Sequence, residues 1–238
     1  MANRIKIDNS ILKKQKKKEE KQTRKKQMSC QILIVTEGEK TEPNYFRKFQ
    51  VDHNSLFIYE VECKGLGKNT LNVVDEAIRL SKSRTTSYDS VWAVFDRDSF
   101  SANNFNSAIK KAEDNGINAA WSNEAFELWF LYHFQNRKTA MSRYDYEKAI
   151  SDAVNNSKMW KSKKAYKYAK CSEENYSIMP QYGNQEQAIK YAEKQHSLCT
   201  DTRYADHNPC TTVYKLVKQL LNRDKELIAT VMEKINKQ

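Results

Sequence analysis

Three acidic residues stand at the ends of two apolar runs, where metal-assisted phosphoryl transfer would need them. Gln31-Ile32-Leu33-Ile34-Val35-Thr36 leads into Glu37-Gly38-Glu39-Lys40-Thr41-Glu42, and Val91-Trp92-Ala93-Val94-Phe95 leads into Asp96-Arg97-Asp98. Buried parallel strands read as continuous apolar segments, and ligands of open α/β sheets sit beyond the strands' carboxyl ends, so Glu37, Asp96 and Asp98 are expected to converge on one rim. Converging carboxylates repel unless a cation joins them, and hard oxygen donors select Mg2+ or Mn2+. Glu37 can then coordinate metal or move a proton during phosphodiester chemistry, while Asp96 and Asp98, alternating along an extended segment, turn toward the same side. Each residue also has a bland reading. A helix-start acid satisfies backbone donors, and an Asp-x-Asp alone is common in loops.

The elements that must position these acids follow from the pattern around them. Strands are expected at 31–36, 56–63, 90–95 and 117–121, alternating with helices at 42–50, 70–84, 103–114 and one starting near Asn123. Such alternation implies βαβ units, a mostly parallel sheet and right-handed crossovers covering both faces. Beyond residue 136 the chain becomes rich in Lys, Tyr, Asn and Gln, with helical patterns at 143–155, 185–197 and 209–236. The expected organisation is a basic flexible tail at 1–28, an α/β core at 29–135 and a mainly helical extension packed on it at 136–238.

Charge and composition bound the partners. Of the net +11, the first 28 residues carry eleven Lys or Arg against three acids, so the high pI is largely a property of this tail. A segment with almost no apolar face should stay flexible, and its lysines suit salt-dependent contact with nucleic acid; solubilisation is the alternative. No apolar stretch approaches the roughly 20 residues that cross a bilayer, and no signal-like apolar region opens the chain, so a cytoplasmic protein without membrane contact is expected. Five cysteines without a Cys-x-x-Cys pair fit reduced thiols. His196-x-x-Cys199 and His207-x-x-Cys210 supply residue types that can build a zinc site, but the spacing matches no recognised zinc motif and coincidence is the favoured reading.

Two further segments suit phosphate contact. The loop Lys64-Gly65-Leu66-Gly67-Lys68-Asn69-Thr70 lacks the full phosphate-loop spacing, which argues against ATP binding, yet Lys68 can meet a nucleic-acid phosphate at the following helix start. Between Met159 and Lys170, Trp160, Tyr166 and Tyr168 interleave with lysines that include Lys163, Lys164 and Lys167. Aromatics that stack on bases beside lysines that meet phosphates suit single-stranded nucleic acid; the same composition describes a snorkelling helix surface. A lysine here can also stabilise charge on a scissile phosphate.

Taken together, Thr36-Glu37-Gly38-Glu39-Lys40-Thr41-Glu42-Pro43-Asn44-Tyr45-Phe46, Phe95-Asp96-Arg97-Asp98 and the segment from Ser122 to Phe134 resemble the RloB family, with a weaker match at Asn208-Pro209-Cys210-Thr211-Thr212-Val213. That family is similar to topoisomerase-primase (Toprim) domains. The resemblance implies a Toprim-like α/β fold, a nuclease cleaving RNA, tRNA or DNA with Mg2+ or Mn2+, and a place in antiphage defence, often beside an ATPase. It implies that Glu37 is the general acid/base or a metal ligand and that Asp96 and Asp98 are metal ligands. Glu127 is a catalytic candidate on a helix whose Asn123 shares its face, with ion pairing as its structural alternative. His133, within the aromatic stretch, reads as a core histidine. A noncatalytic nucleic-acid sensor or adaptor docking on an ATPase is the rival expectation, and homo-oligomerisation stays open.

Overall fold

The computed structural model describes residues 28–51, 57–65, 70–83, 87–98, 100–221 and 224–236. Five strands form one sheet: β1 (Met28–Thr36), β2 (Phe57–Gly65), β3 (Ser90–Asp96), β4 (Asn118–Asn123) and β5 (Cys210–Thr211), in the order β2-β1-β3-β4-β5. The first four are parallel and β5 is antiparallel to β4. The chain moves outward from β1 to β2, then crosses back to place β3 on the other side of β1. The strand order therefore reverses between β1 and β3, and a crevice opens beyond their carboxyl ends.

Both faces of the sheet are covered, which is why β1 and β3 read as unbroken apolar runs. Leu33, Val35, Val91, Ala93 and Phe95 pack beneath α2 (Thr70–Lys82) and α3 (Ala102–Asp114), which present Val73, Val74 and Ala77, and Phe105, Ala108, Ile109 and Ala112. Ser101 caps α3 by accepting from the Asn104 N–H, and Gly116 at φ +68° turns the chain toward β4. Ile32, Ile34, Trp92 and Val94 face the other way, toward α1 (Thr41–Arg47) and α4 (Glu127–Tyr132). All six residues of α4 are buried, and its Phe130 meets Tyr45 of α1 edge to face at 5.4 Å.

Most of the rest of the chain encloses this second face, while Ala205 and Cys210 pack with the first. Helices α5 (Tyr146–Asn155), α6 (Asn175–Tyr182), α7 (Gln185–His196), α8 (Val213–Leu220) and α9 (Lys225–Asn236) follow, and their apolar faces join the same cluster as Ile32 and Trp129. Trp92 on β3 donates from Nε1 to Gln219 Oε1 on α8 at 2.7 Å. The segment after residue 136 is thus continuous with the core in packing and supplies an edge strand.

Three expectations are corrected. The expected helix 209–236 is β5, α8 and α9: Thr211 and Thr212 tie the chain to β4, with Ser122 Oγ and Thr211 Oγ1 2.9 Å apart, and Asp224 starts α9 by accepting from the Leu227 N–H. The helix expected from Asn123 starts at Glu127, because Ser122 and Asn123 finish β4 and Asn123 Nδ2 donates to the Ala205 carbonyl. Asn123 and Glu127 therefore do not share a helical face. Helix α6, containing Pro180, stands where no helix was expected. The tail 1–27, with its proposed nucleic-acid contact, Leu56, Arg84 and the loop carrying Lys68 lie outside the described residues.

Candidate active site at the strand ends

At the crevice between β1 and β3, the Glu37 N–H donates to the Val94 carbonyl at 2.9 Å, so the turn after β1 is fixed to β3. The Glu37 side chain then reaches across, with Oε2 accepting from the Asp96 N–H at 3.2 Å. Asp96 Oδ2 accepts from the Phe126 N–H at 3.0 Å, just before α4, while its Oδ1 is buried without a hydrogen-bond partner. Gly65 at the end of β2 braces the same turn: a Cβ there would stand 2.5 Å from the Gly38 carbonyl oxygen and 2.6 Å from Glu39 Cα. A Cβ at Gly38 would collide with the carboxylate of Glu42, which lies buried in the first turn of α1.

Glu37, Gly38, Glu42 and Asp96 line a cavity of about 450 Å3 with Asp98, Arg143 and Lys170. A cavity of about 640 Å3 lies between His133, α5 and Gly183, yet Asp152 is its one acidic residue. Chemistry rather than size singles out the smaller cavity.

Its electrostatics are those of crowded acids. Burial raises Glu37 to about 7, with Glu42 adding to the rise and the Asp96 N–H, Arg143 and Lys170 opposing it. Burial likewise lifts Glu42 to about 7, helped by Glu127. Asp96 rises well above the usual carboxylate range through burial and the charges of Glu42, Glu127 and Glu37. A proton or a cation must accompany these groups into the site.

The structure places the expected residues unequally. Glu37 and Asp96 are joined directly. Asp98 lines the same cavity from a left-handed turn at φ +44°, not from the extended segment expected, and Arg143 holds it in an ion pair. Among the described residues, no three His, Cys, Asp or Glu side chains are gathered as a preformed metal-holding group. Glu127 is 4 % exposed; its Oε1 accepts from Tyr168 Oη at 3.2 Å and lies 3.6 Å from Lys170 Nζ.

Sequence reasoning did not single out Glu42 or Arg143, and it named Tyr168 and Lys170 only within the aromatic and lysine-rich segment, not at this cavity. Glu42 was signalled by lying one helical turn past Gly38. Arg143, at the start of a short 3-10 helix, and Lys170, from an irregular segment, arrive from far along the chain, which no local pattern announces.

The aromatic and lysine-rich segment is corrected in part. Tyr168 is buried, and Trp160 packs edge to face on Tyr182 at 4.8 Å and on Tyr166 at 5.7 Å. These rings anchor the segment instead of facing a base, while Lys163, Lys164 and Lys167 are exposed. His133 is a core histidine: it is 1 % exposed, bonds to the Trp129 carbonyl through Nδ1, and is lowered to about 4 by burial. The four residues weighed for zinc divide. Cys199 and Cys210 bring their sulfurs to 3.7 Å, but His196 Nδ1 pairs with Tyr214 Oη and His207 Nε2 with Asp201 Oδ1.

Fold and site together define an α/β protein with an acidic crevice at the switch point of a mostly parallel sheet. The RloB-like protein family model matches residues 32–220, and the chain belongs to that family. No curated protein and no solved structure matches it significantly. Among the described residues no helix is long and apolar enough to cross a membrane.

Proposed function

We propose that this protein is a Mg2+- or Mn2+-dependent nuclease of the Toprim type, cleaving phosphodiesters of RNA, tRNA or DNA in antiphage defence, with an ATPase as working partner. The observation that carries the reading is Asp96: a buried carboxylate with a free Oδ1, adjoining Glu37 at the strand-order reversal and surrounded by further acids. Hard oxygen donors with one lone-pair site unclaimed fit a divalent cation, for which Asp96 and Asp98 would be the ligands, with Glu37 either a third ligand or the proton-transfer group. When bound, such a cation supplies Lewis-acid polarisation of the phosphate and stabilises the leaving oxygen.

The remaining work falls to side chains of the chain itself. Glu37, raised to about 7, is poised to accept and return a proton near neutral pH. Glu127 keeps Lys170 at the cavity edge, and Arg143 stands beside Asp98. One observation favours the noncatalytic adaptor: Arg143 already pairs with Asp98, so the third carboxylate is engaged by protein.

Cleavage of labelled total tRNA, single-stranded RNA and plasmid DNA, with Mg2+, Mn2+ or chelator, separates the two. The nuclease reading expects metal-dependent cutting that Asp96→Ala removes while folding is kept. Cutting that survives in both Asp96→Ala and Glu37→Ala would refute the site, and binding without cutting, alone or with the ATPase, would favour the adaptor.

A further inference from the structure

Residues 157–174 carry no helix or strand, yet the segment is firmly held. Asn155 grips it from both sides, with Oδ1 accepting from the Tyr166 N–H at 2.7 Å and Nδ2 donating to the Tyr166 carbonyl at 2.9 Å. The Tyr168 N–H donates to Ser151 Oγ at 2.9 Å, and Thr41 Oγ1 donates to the Lys170 carbonyl at 2.7 Å. Asn44 Nδ2 reaches the Cys171 carbonyl at 3.4 Å. Thr41 and Asn44 belong to α1, which begins four residues after Glu37, so the strap is pinned to the element that carries the acidic turn.

The side chains of this strap divide by chemistry. Its aromatics point into the core, and its six lysines, Lys158 to Lys170, are exposed, with no acidic residue anywhere from Ala153 to Ser172. The last of them, Lys170, lines the acidic cavity, where its cation lies 3.6 Å from Glu127 Oε1. Burial opposes its charge, but the carboxylates of Glu127, Asp96 and Glu42 outweigh that and keep it protonated. The cavity is lined by five acidic residues, Glu37, Glu39, Glu42, Asp96 and Asp98, so the approach of a phosphodiester is favoured by fixed positive charge on a path to it.

We infer that the strap from Lys158 to Lys170 is a phosphate track: its exposed lysines bind the backbone of a single nucleic-acid strand, and Lys170 contacts the phosphate delivered to the cavity. The inference deepens the nuclease reading and rests on it for the role of Lys170 in turnover, but the binding track stands independently of cleavage. Backbone pinning with free side chains is what sequence-independent phosphate contact needs, because the main chain is already ordered and only the lysine tips adjust.

The test is the salt dependence of binding. Fluorescein-labelled single-stranded RNA and DNA oligonucleotides are titrated with protein in chelator across a range of KCl, and binding is read by anisotropy. Each phosphate contact contributes about 0.7 to the slope of log K against log salt for a single strand. Lys163→Gln, Lys164→Gln and Lys167→Gln combined should lower that slope by about 2, and Lys170→Ala by about 0.7. A control combining Lys110→Gln, Lys190→Gln and Lys225→Gln removes the same charge from other exposed positions and should leave the slope unchanged.

In turnover with Mg2+ or Mn2+, Lys170→Ala should lower kcat, whereas the triple strap variant should raise KM with kcat kept. An unchanged slope in the strap variant, or an equal loss in the control, would overturn the track. A protein that binds along the track but cuts nothing with either metal, alone or with the ATPase, would refute the nuclease reading and leave the track standing.

Discussion

Removing the charge of Glu37 should change how stability responds to pH, by an amount the site geometry fixes. In the folded protein burial moves this carboxyl from its ordinary 4.5 to about 7. The native state therefore holds the proton more tightly than the unfolded chain. Stability from this group is complete below the unfolded value and is lost as pH rises through the folded value. At about 1.36 kcal/mol per tenfold change in proton affinity, the loss amounts to roughly 3 kcal/mol. Glu37→Gln keeps the acceptor for the Asp96 N–H but carries no proton to lose. Because Glu42 and Asp96 line the same cavity and redistribute protons, the observed difference should lie between about 1 and 3 kcal/mol. Urea unfolding in chelator, on either side of the window from 4.5 to about 7, measures it. Wild type should weaken more than the variant as pH rises. Equal pH dependence in the two proteins would show that Glu37 ionises as an ordinary surface acid and would remove the crowded-acid account.

Other perturbations test the supports of the site. Gly65→Ala places a methyl group against the Gly38 carbonyl and Glu39 Cα, so the Glu37 turn must shift; a loss of about 1–3 kcal/mol by urea unfolding, with reduced cleavage, is expected. Tyr168→Phe removes the hydroxyl that donates to Glu127, costing about 1–3 kcal/mol and lowering kcat through a less ordered Lys170, read by unfolding and by turnover. Phe130→Ala empties a fully buried position between Tyr45 and Phe126 and should cost about 3–5 kcal/mol in the same unfolding assay.

The parts of this molecule that a sequence expresses locally were legible before its structure was. Ile32 to Val35 and Val91 to Phe95 are buried on both faces, and that double burial is what makes a strand read as an unbroken apolar run. Glu37 and Asp96 follow from it, because a carboxylate directly after such a strand has nowhere to go but the rim. Asp98 was placed on the right rim with the wrong backbone, since a left-handed turn at an Asp leaves no mark on apolar periodicity. The end of β4 was mistaken for a helix start because Ser122 and Asn123 are good caps; here their side chains serve Thr211 and the Ala205 carbonyl instead. Arg143, Tyr168 and Lys170 meet the site only through long-range closure, with Glu127 and Tyr168 41 positions apart in the chain. The rings of the lysine-rich strap looked like base-stacking groups because composition does not distinguish an inward ring from an outward one.

The most direct test of the account is calorimetric titration of Mn2+ into metal-free wild type and into Asp96→Asn near neutral pH, in two buffers of different ionisation enthalpy. The account expects saturable binding by wild type accompanied by proton release, as the cation displaces protons from the raised carboxyls of Glu37, Glu42 and Asp96 into the buffer. Asp96→Asn should lose that binding while keeping its unfolding transition. Equal binding and equal proton release by the two proteins, or no binding by wild type at concentrations that support cleavage, would contradict it.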